Sequence, residues 1–244
     1  MSSAASTLVL LPGLLCDDEV WAEQQAALYE SCDIVIGRFG MLDRIEHMAS
    51  HVLRTVAAQR FALAGHSMGG RVALEVLRQA PERVLGLALL DSGVAPLASN
   101  QAGDEERRGR HELLALAQRE GMEVMARQWV APMVHPDVWG TPLFERMVAM
   151  IARSDPDRFA AQINALLQRP DAEPVLRTLH CPLLLLCGQQ DRWSPPDRHR
   201  AMQALVPGAA LRIIEHCGHM SPMEQPQAVS GALVQWLMHC GHVR

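Results

Sequence analysis

The residues best placed to do chemistry lie in one pentapeptide, Gly65-His66-Ser67-Met68-Gly69. An apolar run, Phe61–Ala64, leads into it, and Val72, Ala73, Val76 and Leu77 follow on one helical face. That order predicts strand, sharp turn, helix. Such a turn holds the serine in a strained backbone conformation and lifts its Oγ above the end of a sheet. Small residues two before and two after it keep the crossing backbones apart. The serine then stands beside a helix N-terminus, whose free N–H groups can hold developing negative charge. The chemistry is nucleophilic attack on a carbonyl. The plain alternative is a glycine-rich connection carrying an ordinary serine. The flanking strand and helix favour the nucleophile.

A serine nucleophile needs a base, and the base needs an orienting acid. Among 11 histidines, His219 follows the last apolar run, in a glycine-containing loop before the final helix. His216 shares that loop and is the second choice. His66, adjacent to Ser67, is expected to be structural and to point elsewhere. Asp191 follows the run Leu183–Cys187, and the order Ser…Asp…His favours it as the acid. Asp91, after Val84–Leu90, remains an alternative able to reach the same imidazole. An oxyanion needs two backbone donors. The amides of Met68 and Leu14 are the candidates, with Gly13 allowing a tight turn before Leu14.

These groups need a scaffold, and the chain can build one. Its 244 residues, 49% of them hydrophobic, suffice for one α/β domain with a large core. At 4% aromatic, that core must be mostly Leu, Val, Ala and Met. The net charge of −5 without a basic run argues against nucleic acid and anionic membrane as partners. The mixed cluster Asp104–Arg108 predicts a solvated helix start. No apolar stretch approaches the ~18 residues of a membrane span. The N-terminus lacks a basic region, and Leu8–Leu15 is broken by Pro12-Gly13, so a signal peptide is not expected. A cytoplasmic location is the expectation, with Cys181 and Cys187 as small core residues rather than a disulfide. The tetrad His216-Cys217-Gly218-His219 recurs as His239-Cys240-Gly241-His242. Cysteine and histidine can bind zinc, but nothing makes the two copies converge, and no metal is expected.

Strands are predicted over Thr7–Leu11, Asp33–Ile36, Phe61–Ala64 and Val84–Leu90, alternating with helical stripes. Asp43 with Glu46 predicts a capping box at the second helix. Continuous apolar strands alternating with helices indicate a parallel sheet covered on both faces. From about Leu97 to His180 the pattern is helical, with stripes at Leu113–Ala117, Met122–Trp129, Leu143–Ile151 and Phe159–Leu167. This predicts a lid over the sheet end. Alternation resumes with strands Leu183–Cys187 and Leu211–Ile214, a helix opened by Pro195-Pro196, and a last helix Gln227–His239.

Together these residues resemble the α/β-hydrolase fold superfamily, in its lidded branch of bacterial carboxylesterases. The resemblance rests on Leu10-Leu11-Pro12-Gly13, Gly65-His66-Ser67-Met68-Gly69-Gly70, Pro81-Glu82-Arg83-Val84, Gly188-Gln189-Gln190-Asp191 and Gly218-His219-Met220. It implies an α/β fold: a mostly parallel central sheet with helices on both faces and a helical lid inserted after the sixth strand. The core would be 1–96 and 181–244, and the lid 97–180. It implies Ser67 as nucleophile, Asp191 as acid, His219 as base, and Leu14 and Met68 as oxyanion donors, with no cofactor and no metal. Two departures stand out. Pro12-Gly13 replaces the family's usual His-Gly, so that histidine's support of the oxyanion loop is missing. Gly37-Arg38-Phe39-Gly40 replaces the usual Asp-x-Pro-Gly-x-Gly loop.

The expected activity is hydrolysis of a small ester or thioester, with a small-molecule acyl substrate as partner. Trp129, Met133, Trp139 and Phe144 are the expected lid contacts. The same triad could instead serve carbon–carbon bond hydrolysis, a lyase step or perhydrolysis, with Arg153 or Arg169 binding a substrate carboxylate. A ligand-binding receptor on the scaffold is the non-enzymatic alternative.

Overall fold

The computed structural model describes residues 7–241. Six strands form one sheet: β1 (Thr7–Leu11), β2 (Asp33–Ile36), β3 (Phe61–His66), β4 (Val84–Leu90), β5 (Leu183–Gly188) and β6 (Ala210–Ile214), in the order β2-β1-β3-β4-β5-β6. Every pairing is parallel. The four inner strands are continuous apolar runs over most of their length because helices cover both faces. Leu8–Leu11, Phe61–Ala64, Leu87–Leu90 and Leu184–Cys187 are at most 1% exposed. The edge strands β2 and β6 are only partly buried.

The two faces are covered by separate groups of helices. One group is α1 (Ala22–Leu28), α10 (Ser221–Glu224) and α11 (Pro226–His239), which pack on one another. The other links α2 (Ile45–Thr55), α3 (Met68–Gln79), α8 (Glu173–Arg177) and α9 (Pro196–Leu205) in successive contacts. A 3-10 turn over Asp18–Trp21 leads into α1 and buries Val20 and Trp21. The expected capping box at α2 does not form. Its N-cap is Arg44, without a side-chain bond, while Asp43 faces His47 at 3.9 Å and its carbonyl accepts from Asn164.

Between β4 and β5 run α4 (Gln101–Glu120), α5 (Met122–Val130), α6 (Pro142–Ala152), α7 (Pro156–Leu167) and then α8. This helical insert follows the fourth strand, not the sixth, because only β1 to β4 precede it among the described residues. The expected mixed-charge helix start is in fact within α4, and Glu106 there turns inward onto Arg110 and Arg169. Arg153 ties α6 to the core through Asp17 and Glu19.

The strand order reverses between β1 and β3, whose carboxyl ends therefore flank a crevice. Ligands of open parallel sheets bind at such a switch point. Ser67 follows β3 and Leu14 follows β1, while the loops after β4, β5 and β6 carry Asp91, Asp191 and His219 to the same edge. No described helix is long and apolar enough to cross a membrane.

Candidate active site

Ser67 sits between β3 and α3 with φ 52° and ψ −113°. A non-glycine residue holds such a conformation only where its surroundings impose it, at a cost of about 1–3 kcal/mol. Here its amide donates to Leu90 O at 2.8 Å, and Ser92 Oγ donates to Ser67 O at 2.8 Å. The flanking glycines are required by close approach. A Cβ on Gly65 would lie 2.3 Å from Gly69 O, and one on Gly69 would lie 2.1 Å from Leu11 O.

Ser67 Oγ lies 2.9 Å from His219 Nε2, and His219 Nδ1 lies 2.8 Å from Asp191 Oδ2. The other Asp191 oxygen accepts the amides of Trp193 (2.8 Å) and Ser194 (2.9 Å). Burial pushes the Asp191 carboxyl up, but the His219 charge, its hydrogen bond and the two amides hold it below the usual value. An ionised Asp191 fixes the Nδ1–H tautomer and leaves Nε2 free to accept from Ser67. Trp193 tilts over the His219 ring at 5.1 Å and stacks on Trp129 at 5.7 Å, so the imidazole is walled by aromatic surface.

Asp91 does not reach His219. It is fully buried, with Oδ1 accepting from Gly188 N at 3.1 Å and Oδ2 from Ser221 Oγ at 2.5 Å. Burial, then the charge of Asp191, pushes its carboxyl well above the usual range. His216 is exposed and stands edge-on to His135, away from Ser67. His66 is buried, and its Nε2–H donates to His219 O at 2.8 Å. Burial lowers His66 to about 3.

Met68 opens α3, so its amide has no acceptor within the helix. Among the described residues no acceptor pairs with the Leu14 amide. Both residues line the cavity beside Ser67. The left-handed residue of the Leu14 loop is Leu15 (φ 59°), not Gly13. Gly13 is small for a different reason: a Cβ there would press on His66 Nδ1 at 2.9 Å. Support of this loop comes from the insert, where buried Gln162 of α7 accepts the Leu15 amide at 2.8 Å.

The cavity over Ser67 encloses about 1000 Å³ between sheet edge and insert. Trp129 and Met133 line it, as does Arg169. Trp139 does not: it is 56% exposed, its Nε1 donating to Ala131 O. Phe144 is buried below the Arg127 guanidinium, outside the cavity. Arg153 faces Asp17 and Glu19 rather than the cavity.

Sequence reasoning missed Gln162, Glu224, Trp193 and Arg71. Glu224 accepts three amides, those of His135 (2.7 Å), Gly218 (2.9 Å) and Met220 (2.9 Å), and so fixes the loop bearing His219 from both sides. A polar residue on the apolar face of the Phe159–Leu167 stripe was an available signal for Gln162. Nothing comparable marked the other three.

Metal-binding donors converge among the described residues at His135, Asp137 and His216, within 4.8 Å of one another and outside the cavity. Of the tetrad containing Cys217, only His216 belongs to this group. Cys217 is buried, His219 faces Ser67, and His242 of the second copy lies outside the described residues.

Residues 8–232 match the model of the alpha/beta hydrolase family, and the chain belongs to that family. Among curated relatives, the putative carbamate hydrolase RutD of Pseudomonas savastanoi pv. phaseolicola is 26% identical over 91% of this chain and 90% of its own length. The 2-succinyl-6-hydroxy-2,4-cyclohexadiene-1-carboxylate synthase of Serratia proteamaculans is 30% identical over 76% of this chain and 71% of its own. Among solved structures, a thermophilic esterase from Thermogutta terrifontis superposes with a TM-score of 0.86 at 26% identity, covering 98% of this chain and 91% of that one.

Proposed function

We propose that this hydrolase is a serine esterase, cleaving a small carboxylic ester or thioester through an acyl-enzyme. The observation that carries the reading is the unbroken line from Ser67 Oγ through His219 to Asp191, at 2.9 and 2.8 Å, at the floor of the cavity. Ser67 Oγ attacks the carbonyl carbon as His219 Nε2 takes its proton. Asp191 holds the imidazole and stabilises its cation. The Leu14 and Met68 amides receive the oxyanion. Collapse expels the alkoxide or thiolate, which takes the proton from His219. Water, deprotonated by the same nitrogen, then releases the acid and frees Ser67.

The helices of 97–180 act as the lid over the core of 1–96 and 181–244, with Trp129, Met133 and Trp193 contacting the substrate. No metal or organic cofactor takes part. Six cysteines with no disulfide among the described residues suit a reducing cytoplasm.

A fluorophosphonate probe tests the reading. It should label Ser67, and Ser67→Ala should lose both the label and hydrolysis of p-nitrophenyl acetate, by on the order of 10³-fold or more. A folded alanine variant that keeps most of its activity overturns the assignment.

A further inference from the structure

The cavity above Ser67 carries cations that the protein does not neutralise. Arg71, Arg110, Arg169 and Arg198 all line it. Arg110 and Arg169 share Glu106, at 2.9 and 2.8 Å. Arg169 also donates to the carbonyls of Ala95, Pro96 and Leu166, so its guanidinium is fully used in holding α4 and α7 to the segment after β4. Arg177, also at the cavity, pairs with Glu173, and Glu105 accepts from Gln101. Arg71 and Arg198 remain. Arg71 Nη1 donates to Ala95 O at 2.8 Å, and Arg198 Nη1 has only a long contact to Ser194 Oγ at 3.5 Å. Among the described residues neither has a carboxylate partner.

Both cations belong to the wall that holds Ser67. Arg71 lies one helical turn beyond it on α3. Arg198 extends from α9 across Gly93, its Cδ 2.8 Å from where a Cβ would stand. Gly93 follows Ser92, whose hydroxyl binds the Ser67 carbonyl. Burial, and then the like charges of Arg169 and Arg198, lower the Arg71 guanidinium well below its ordinary value, with Glu106 offsetting only part. Burial likewise lowers Arg198, with the more distant charge of Asp191 offsetting only part. A partly desolvated, unpaired cation is costly, and a guanidinium fork matches a carboxylate in shape. The arrangement is accounted for by an anion that arrives with the ligand.

We propose that Arg71 and Arg198 form a carboxylate subsite, so that the substrate is an ester or thioester carrying a second, free carboxylate, such as a hemi-ester of a small dicarboxylic acid. This rests on the serine-esterase reading for the reaction, but the binding site is testable without turnover.

The test uses Ser67→Ala, which cannot turn the ester over. Calorimetric titration compares monomethyl succinate with dimethyl succinate, and inorganic phosphate is titrated in parallel. The hemi-ester should bind about tenfold or more tighter than the diester. Arg71→Met and Arg198→Met, each added to Ser67→Ala, should abolish that preference, and Arg71→Lys should restore part of it. Circular dichroism checks that each variant folds, and Arg198, on the exposed side, serves if Arg71→Met does not. Equal binding of the two esters, a preference that survives a folded arginine variant, or tighter binding of phosphate than of the hemi-ester overturns the proposal. Fluorophosphonate labelling of the wild-type protein keeps the two readings apart. Labelling without hemi-ester preference removes only the subsite, and hemi-ester preference without labelling removes only the esterase reading.

Discussion

The imidazole of His66 hydrogen-bonds the backbone carbonyl of His219 at 2.8 Å, so the residue before Ser67 holds the loop that presents the His219 imidazole. A carbonyl only accepts, so His66 carries its proton on Nε2. The two rings stand 5.5 Å apart, and the contact spans the gap between β3 and the loop after β6. His66 thus adjoins Ser67 by the chain and grips His219 through its backbone.

Replacing that donor should act on positioning. His66→Leu leaves the buried His219 carbonyl unpaired, at a cost of about 1–3 kcal/mol. We expect kcat for p-nitrophenyl acetate to fall by more than KM rises, since His66, although it lines the cavity, acts chiefly on the loop carrying His219. His66→Gln offers a replacement N–H and should recover part of both. Urea unfolding beside steady-state kinetics measures this. A leucine variant with undiminished kcat would show that the contact positions nothing.

The two buried aspartates should separate cleanly. Asp191→Asn removes the acceptor that selects the Nδ1–H tautomer, and turnover should fall by about 10³- to 10⁴-fold. Asp91 binds Gly188 and Ser221 instead, and burial already favours its neutral form. An asparagine there mimics a protonated carboxyl, so Asp91→Asn should cost less than tenfold in kcat/KM, about 1.4 kcal/mol or less. If the Asp91 variant were the inactive one, the acid would have to be reassigned.

How much of this was legible follows from what each signal measures. The inner strands had to be continuous apolar runs because both faces are covered, and all four were found within two residues of their ends. Ser67 and Asp191 follow inner strands and His219 follows the edge strand β6, so chain order alone pointed all three to one edge of the sheet. Side-chain direction in the insert could not be read this way. Trp129 and Trp139 are both apolar residues of one helical region, yet one lines the cavity and the other is exposed. Periodicity tells that a face is buried, not what it is buried against. The turn before His219 shows a related limit. Gly218 suggests the flexible point, but the left-handed residue is His216 (φ 50°), and Gly218 is small because a Cβ would lie 2.4 Å from Met133 O. Glu224 reaches the His135 amide and Gln162 the Leu15 amide, both far away in sequence, and no local pattern encodes such pairings.

Gln162 should connect the insert to catalysis. Its Oε1 accepts the amide of Leu15, beside the Leu14 amide assigned to the oxyanion. Gln162→Leu keeps much of the volume but leaves the Leu15 N–H unpaired, at about 1–3 kcal/mol. Part of that should appear as a loss of kcat of roughly tenfold, about 1.4 kcal/mol at the transition state. Gln162→Glu keeps an acceptor and should retain more activity than Gln162→Leu. Equal losses in the two variants would show that the acceptor is not what matters.

Acid should destabilise the fold through two histidines held neutral. Burial lowers His66 to about 3 and His199 to about 4. The unfolded chain returns each to about 6.5. Between those values the unfolded state binds protons that the folded state refuses, so stability rises with pH and is lost as pH falls below 6.5. For His66 the loss continues to about pH 3, and for His199 to about pH 4. At pH 5 it amounts to about 2 kcal/mol for each group. Asp191, held low, adds a loss of the same sign, whereas Asp91 and Glu224, held high by burial, oppose it, so the wild-type slope alone decides nothing. The difference between proteins does. Among the described residues His199 Nε2 has no hydrogen-bond partner and Nδ1 makes only a long bond to Pro195 O at 3.3 Å, so His199→Leu should be tolerated at neutral pH. Urea unfolding at pH 7 and pH 5 should show the wild type losing about 2 kcal/mol more than His199→Leu, and by a similar margin more than His66→Gln. Identical losses in the wild type and both variants would mean that neither imidazole is held neutral by the fold.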